Sequence, residues 1–126
     1  VDFRNKVKSL DAVLFVTPEY NRSVPGVLKN AIDIASRPWG QSVWNAKPAA
    51  IVSVTIGGTG AFGANHHLRQ TLAFLNMAVL AQPEAYISNA MSLFDESGKL
   101  TDDSTKDFFG RFMQAFAGLI ETNVGR

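Results

Sequence analysis

Two short apolar runs constrain this chain more than any other feature. They are Ala12-Val13-Leu14-Phe15-Val16, which stops at Thr17-Pro18, and Ala49-Ala50-Ile51-Val52-Ser53-Val54, which stops at Thr55-Ile56-Gly57. Neither alternates polar with apolar residues, as a strand with one wet face does. Continuous runs of this length, rich in β-branched residues, suit strands covered on both faces, as in a parallel sheet. Parallel strands need long crossovers, and the flanking segments read as helices. Ahead of the first run, Phe3, Val7 and Leu10 recur at helical spacing, so the stretch before Asp11 reads as the end of an amphipathic helix.

After the first run, Ser23 is placed to cap a helix with Pro25 in its first turn. Val27, Leu28, Ala31, Ile32 and Ala35 would line one face of it, Lys29 and Asp33 would pair on the other, and Arg37-Pro38 would end it. After the second run, the loop from Thr55 to Gly63 opens a helix with Ala64, Leu68, Leu72 and Leu75 on one stripe. A third strand is expected around Ala85-Tyr86-Ile87. The turn Asp95 to Lys99 then leads to a final helix, in which Phe108, Phe109, Phe112, Met113, Phe116 and Ile120 form a stripe that must be buried.

Helix and strand alternate throughout, which predicts a doubly wound α/β sheet with right-handed crossovers. Three strands leave an open edge and too few neighbours for the helices, so further strands are expected before Val1. The chain has 126 residues, 46% of them hydrophobic and 18% charged, which is enough for one core and argues against disorder. Its net charge is +1 with no basic run, which excludes nucleic acid as an expected partner. The absence of Cys removes disulfide and thiolate chemistry and suits a reducing cytoplasm. The apolar runs are too short to cross a bilayer, and the visible amino terminus carries no signal-peptide pattern, so no membrane association is expected.

In a doubly wound sheet, ligands sit beyond the carboxyl ends of the strands. The loops Thr17 to Ser23 and Thr55 to Gly63 occupy that place. In the first, Pro18 makes a rigid turn followed by a carboxylate (Glu19), an amphipathic ring (Tyr20) and an amide (Asn21), groups that suit a flat heteroaromatic ligand. An ordinary strand-to-helix connection accounts for the same residues equally well. In the second, Gly57, Gly58, Gly60 and Gly63 would let main-chain amides approach a ligand beside a helix amino terminus. No Gly-Lys-Ser/Thr follows, so this is not a P-loop. His66 and His67 are adjacent, diverge by roughly 100° around a helix and cannot close on one metal ion; a capping or interface role suits them better. The Asp95-Glu96-Ser97-Gly98 turn lacks the acid spacing of a calcium loop.

Taken together the two loops are more specific. The run Thr17-Pro18-Glu19-Tyr20-Asn21-Arg22-Ser23-Val24-Pro25-Gly26-Val27-Leu28-Lys29-Asn30-Ala31-Ile32-Asp33 closely resembles the signature of the NADPH-dependent FMN reductase family, which includes chromate and quinone reductases. His67-Leu68-Arg69-Gln70, followed by Phe74-Leu75 and then Pro83-Glu84, is similar to the same family's fourth-strand loop and helix. The resemblance implies a flavodoxin-like doubly wound parallel sheet, with residues 1–126 forming the carboxy-terminal portion of a single domain that lacks its N-terminal strands here. It also implies bound FMN, with NADPH or NADH as co-substrate. Hydride would pass to flavin N5, and the reduced flavin would reduce a small-molecule acceptor: a quinone, free flavin, an azo compound or chromate.

By the same resemblance Pro18, Glu19, Tyr20 and Asn21, with Ser23 beside them, hold the isoalloxazine and ribityl region, while Thr55 and Gly57 line the other side of the flavin. No catalytic acid or base is assigned, because the redox chemistry belongs to the cofactor. The family's phosphate-binding loop is expected before Val1. Gly60-Ala61-Phe62-Gly63 departs from the paired glycines and Arg of many relatives. A homodimer or homotetramer is implied, in which Trp39 and Trp44 would wall a neighbouring subunit's flavin, form an oligomer contact or pack on their own domain. The rival reading is a non-catalytic flavodoxin-like electron carrier or assembly module; such carriers are usually strongly acidic, and this chain is not.

Overall fold

A computed structural model describes residues 2–123. The elements run α1 (Asp2–Lys8), β1 (Val13–Thr17), α2 (Gly26–Ala35), β2 (Pro48–Val54), α3 (Phe62–Phe74), β3 (Ala78–Val79), β4 (Ala85–Ile87), a 3-10 turn (Ala90–Ser92) and α4 (Asp103–Asn123). Both apolar runs are strands and they pair in parallel, from Val13 beside Ala49 to Thr17 beside Ser53. β2 is therefore central. β1 takes one edge of it, and β3 and β4 divide the other, β3 beside Pro48 and Ala49 and β4 beside Val52 to Val54, all parallel.

The two sheet faces carry separate cores. Phe15, Ala49 and Ile51 meet Val7, Ile32, Ala35, Trp44, Leu68 and Leu72 on the face of α1, α2 and α3. Ala50, Val52, Ala85 and Ile87 meet Phe112 and Phe116 of α4 on the other face. Burying side chains of this size contributes about 1.5–3 kcal/mol each. Leu14 and Val16, which share a face with Ala50 and Val52, stay 37% and 61% exposed. Within the described residues, that face of β1 is uncovered. Its edge away from β2 carries no strand among the described residues.

Several local expectations are also corrected. Ser23 does not cap α2: Pro25 occupies the position before Gly26, with no side-chain cap. Val27 is 79% exposed and faces away from the core. The Lys29–Asp33 pair forms, at 3.0 Å, one turn apart on the exposed side. Trp44 is buried and its indole N–H donates to Ile32 O (2.9 Å), which places it in its own core. Trp39 is exposed, beneath the Arg37 guanidinium. It follows the carboxyl end of α2, whereas the two loops follow the carboxyl ends of β1 and β2, at the opposite end of the sheet. The two-residue strand β3 and the 3-10 turn were not expected.

Candidate active site

Beyond Thr17 the chain makes a tight reversal. Tyr20 and Ser23 exchange both main-chain hydrogen bonds (2.9 and 3.1 Å). Between them Asn21 and Arg22 have φ of 52° and 68°. Two successive left-handed residues closed by such a pair make a type I′-like turn, a geometry Asn tolerates well and Arg less so. Glu19 precedes the turn and reaches across to α3, where its Oε2 accepts the main-chain N–H of Ala64 at 2.9 Å. The Ser23 hydroxyl meets His67 Nδ1 at 2.7 Å. The turn therefore rests on the first two turns of α3.

The second loop is tied to the end of β4 and the turn that follows it. Thr55 N–H donates to Ile87 O (2.9 Å), Ala90 N–H to Thr55 O (3.1 Å) and Asn89 N–H to Gly57 O (2.8 Å). Gly57 N–H donates to the Thr55 hydroxyl (3.2 Å). The glycines do different work from that expected. Gly60 has φ +65°, and a Cβ there would lie 2.5 Å from Tyr86 Cβ; a Cβ on Gly63 would lie 2.5 Å from Arg22 O and 2.7 Å from Glu19 Oε2. Both permit approach by the protein's own chain, not by a ligand. Around Gly58 there is open space.

Between the loops lies an open cleft of about 410 Å³, lined by Val16, Thr17, Pro18 and Glu19 on one side and Val54, Thr55, Ile56 and Ala90 on the other. Of the seven residues singled out from sequence, Pro18, Glu19 and Thr55 line it directly. Tyr20 and Asn21 are exposed at the turn that follows, and Gly57 is exposed one residue beyond Ile56. Ser23 instead faces the groove between α2 and α3 with Val24, His67 and Gln70. Val16, Val54 and Ile56 escaped notice because they read as strand ends, and Ala90 carries no sequence signal at all. Among the described residues, the main-chain N–H groups of Glu19, Asn21, Ile56 and Gly58 donate to nothing within the chain.

Beside the glycine loop, Phe62, His66 and Tyr86 form an aromatic cluster with centroids 4.2 to 5.8 Å apart. His66 Nε2 meets the Tyr86 hydroxyl at 2.6 Å, and that hydroxyl donates to Glu84. Hydrogen bonds from Tyr86 and then Gln82 hold the Glu84 carboxyl below its ordinary range. Burial, followed by the bond to Glu84, pushes the Tyr86 phenol up to about 12. No group of three His, Asp or Glu side chains arranged for a metal ion occurs among the described residues. No helix among them is long and apolar enough to cross a membrane.

A model of the family described as NADPH-dependent FMN reductase matches residues 1–92, which takes in both loops and the cleft. The chain belongs to the NADPH-dependent FMN reductase family. It is 57% identical over 121 residues to a quinone reductase of Pseudomonas putida, covering 96% of this chain and 64% of that protein. It is 49% identical over 113 residues to an NAD(P)H-dependent FMN reductase of Pseudomonas aeruginosa, covering 90% of this chain and 60% of the relative. Among solved structures it matches the flavoenzyme NAD(P)H:(acceptor) oxidoreductase FerB of Paracoccus denitrificans with a TM-score of 0.88 and 41% identity, covering 95% of this chain and 66% of that one. The parallel sheet and its helices are thus the flavodoxin-like α/β fold of this reductase family. The chain spans 64% of the length of the Pseudomonas putida relative it matches.

Proposed function

We propose that this chain supplies the isoalloxazine-holding part of an FMN-dependent NAD(P)H oxidoreductase that reduces quinones. One observation carries the reading: the loops leaving β1 and β2 face each other across an open cleft at the carboxyl ends of adjacent parallel strands. The cleft's composition fits a flavin ring. Val16, Pro18, Val54, Ile56 and Ala90 offer apolar walls, and the main-chain N–H groups of Glu19 and Ile56 in the cleft, with those of Asn21 and Gly58 in the adjoining loops, donate to nothing among the described residues and offer donors to the ring's carbonyl oxygens and nitrogens. When bound, FMN supplies the centre that takes hydride from NADPH or NADH and gives electrons to the acceptor.

The chain's own residues position that ring and exclude water from one side of it. Pro18, Glu19, Tyr20 and Asn21, with Ser23 closing the turn, form one wall of the site; Thr55 and Gly57 form the other. Names of similar proteins, among them a quinone reductase and an NAD(P)H-dependent FMN reductase, support quinones as the first acceptor class. Free flavin, azo compounds and chromate are further candidates. Residues 1–126 act as the carboxy-terminal portion of one flavodoxin-like domain, whose remaining strands pair with the free edge of β1 and whose remaining helices cover Leu14 and Val16. That remainder brings the loop that holds the FMN phosphate. The protein works in the cytoplasm as a homodimer or homotetramer.

Steady-state oxidation of NADPH and NADH, measured with and without FMN and with a simple benzoquinone as acceptor, tests the reading. Turnover that needs FMN and rises with quinone, with parallel double-reciprocal plots, supports it. Oxidation only when a separate protein reductase is added would make the protein an electron carrier instead.

A further inference from the structure

The Glu19 carboxylate is committed before any ligand arrives. Helix α3 begins at Phe62 after Ala61, a left-handed residue that provides no side-chain cap. The first N–H groups of a helix need acceptors, normally from a local Ser, Thr, Asp or Asn. Here the acceptor comes from 45 residues away: Glu19 Oε2 takes the N–H of Ala64, the third residue of α3. A carboxylate at this end also interacts favourably with the helix dipole. Gly63 makes the approach possible, since a Cβ there would collide with both Glu19 Oε2 and Arg22 O. One helical turn further on, His67 meets the Ser23 hydroxyl.

Pro18 and Glu19 form the cleft's β1 wall, and Thr55 and Ile56 form its β2 wall. Because α3 is continuous with the β2 loop through Thr59, Gly60 and Ala61, latching Glu19 to α3 fixes the distance between the two walls. We propose that Glu19 is a positioning residue: its carboxylate latches the Tyr20–Ser23 turn onto the amino terminus of α3 and so sets the width of the flavin cleft, without touching the ligand through its side chain. The inference rests on the flavin reading above for its ligand. The latch itself exists in the free protein and is measurable there.

The test compares the protein with its Glu19→Ala, Glu19→Gln and Gly63→Ala variants. In the ligand-free state, hydrogen exchange at the Ala64 amide reports the latch. FMN titration followed by fluorescence quenching, together with visible circular dichroism of the bound flavin, reports the cleft. Glu19→Ala is expected to lose Ala64 protection, weaken FMN about tenfold and alter the flavin dichroism, as a charge-assisted bond at a helix end is lost. Glu19→Gln keeps a neutral acceptor and is expected to return to within about threefold of the parent. Gly63→Ala, with Glu19 intact, is expected to reproduce the Glu19→Ala phenotype, and the double variant to be no worse than either.

Should Glu19→Ala fail to fold, the Gln and Gly63 variants carry the same contrast. Unchanged affinity and dichroism in Glu19→Ala, with only a lowered melting temperature, would overturn the proposal by making the contact purely structural. Normal flavin binding by Gly63→Ala beside a Glu19→Gln variant as weak as Glu19→Ala would overturn it differently, by showing that the charge itself meets the ligand. A parent protein that binds no flavin would sink the flavin reading, and the cleft-setting role with it, even if Ala64 exchange still reported the latch.

Discussion

The Asn65 side-chain amide donates to the Ser53 hydroxyl at 3.0 Å, and neither residue is exposed to solvent. Ser53 passes the bond on to Gly60 O at 2.7 Å, while Asn65 Oδ1 accepts from Arg69 Nε at 2.8 Å and Arg69 reaches Leu80 O at 3.1 Å. One buried amide at the start of α3 therefore joins the end of β2, the glycine loop and the chain between β3 and β4. Networks of this kind hold a single conformation because any missing member leaves a buried polar atom without a partner.

Asn65→Leu is expected to lower unfolding free energy by about 1–3 kcal/mol, since it removes the donor to Ser53 Oγ and strands an Arg69 donor. Ser53→Ala is expected to cost roughly 1–2 kcal/mol by leaving Gly60 O unpaired. Urea unfolding of both variants measures this, with flavin affinity falling in parallel as the glycine loop loosens. An Asn65→Leu variant as stable as the parent would contradict the network's role.

Glycine substitutions separate chain packing from ligand approach. Gly60→Ala combines φ +65° with a 2.5 Å collision at Tyr86 and is expected to destabilise by about 2 kcal/mol or more. Gly58→Ala meets nothing within 4 Å and is expected to stay within about 0.5 kcal/mol of the parent. Thermal denaturation of the pair checks the contrast.

Stability should depend on pH at both extremes through one pair, Tyr86 and Glu84: their hydrogen bond lowers Glu84, while burial and then that bond raise Tyr86. Glu84 titrates below its ordinary 4.5 in the folded protein, so its contribution is present above pH 4.5 and lost as pH falls through the lowered value. Tyr86 titrates near 12 rather than 10.0, so its contribution is complete below pH 10.0 and lost as pH rises towards 12. Tyr86→Phe is expected to flatten the alkaline limb and to cost about 1 kcal/mol at neutral pH. Melting temperatures across the pH range decide it.

Tyr20 is 61% exposed, so removing its ring should leave the fold alone. Tyr20→Ala is expected to weaken flavin binding by about 0.5–1.5 kcal/mol, the contribution of one aromatic contact, with an unchanged melting temperature. Equal affinity in the variant would remove Tyr20 from the site.

Much of the fold was legible in the sequence because β1, β2, β4 and α4 each carry their own apolar pattern. The adjacency of the two loops followed from topology, since consecutive parallel strands bring their carboxyl ends together. What escaped depended on long-range geometry. β3 pairs only Ala78 and Val79, too short for any periodicity. Ser23 reads as a helix cap by local rules, yet its hydroxyl goes to His67, 44 residues away. Asn65 looks like a surface position of an amphipathic helix, and only the sheet beneath it turns it into a buried hub. Gly60 and Gly63 signal close approach, but a sequence does not say which backbone approaches. Glu19 announced a carboxylate without disclosing that α3 claims it.

The most direct check of the two-loop cleft is an amide chemical-shift map of the isotope-labelled protein titrated with FMN. The largest changes are expected at Glu19, Asn21, Ile56 and Gly58, whose N–H groups donate to nothing among the described residues, with smaller ones at Tyr20, Thr55 and Gly57. Changes centred instead on the opposite end of the sheet, around Trp39, Phe74 and Asn76, with the two loops unperturbed, would contradict it.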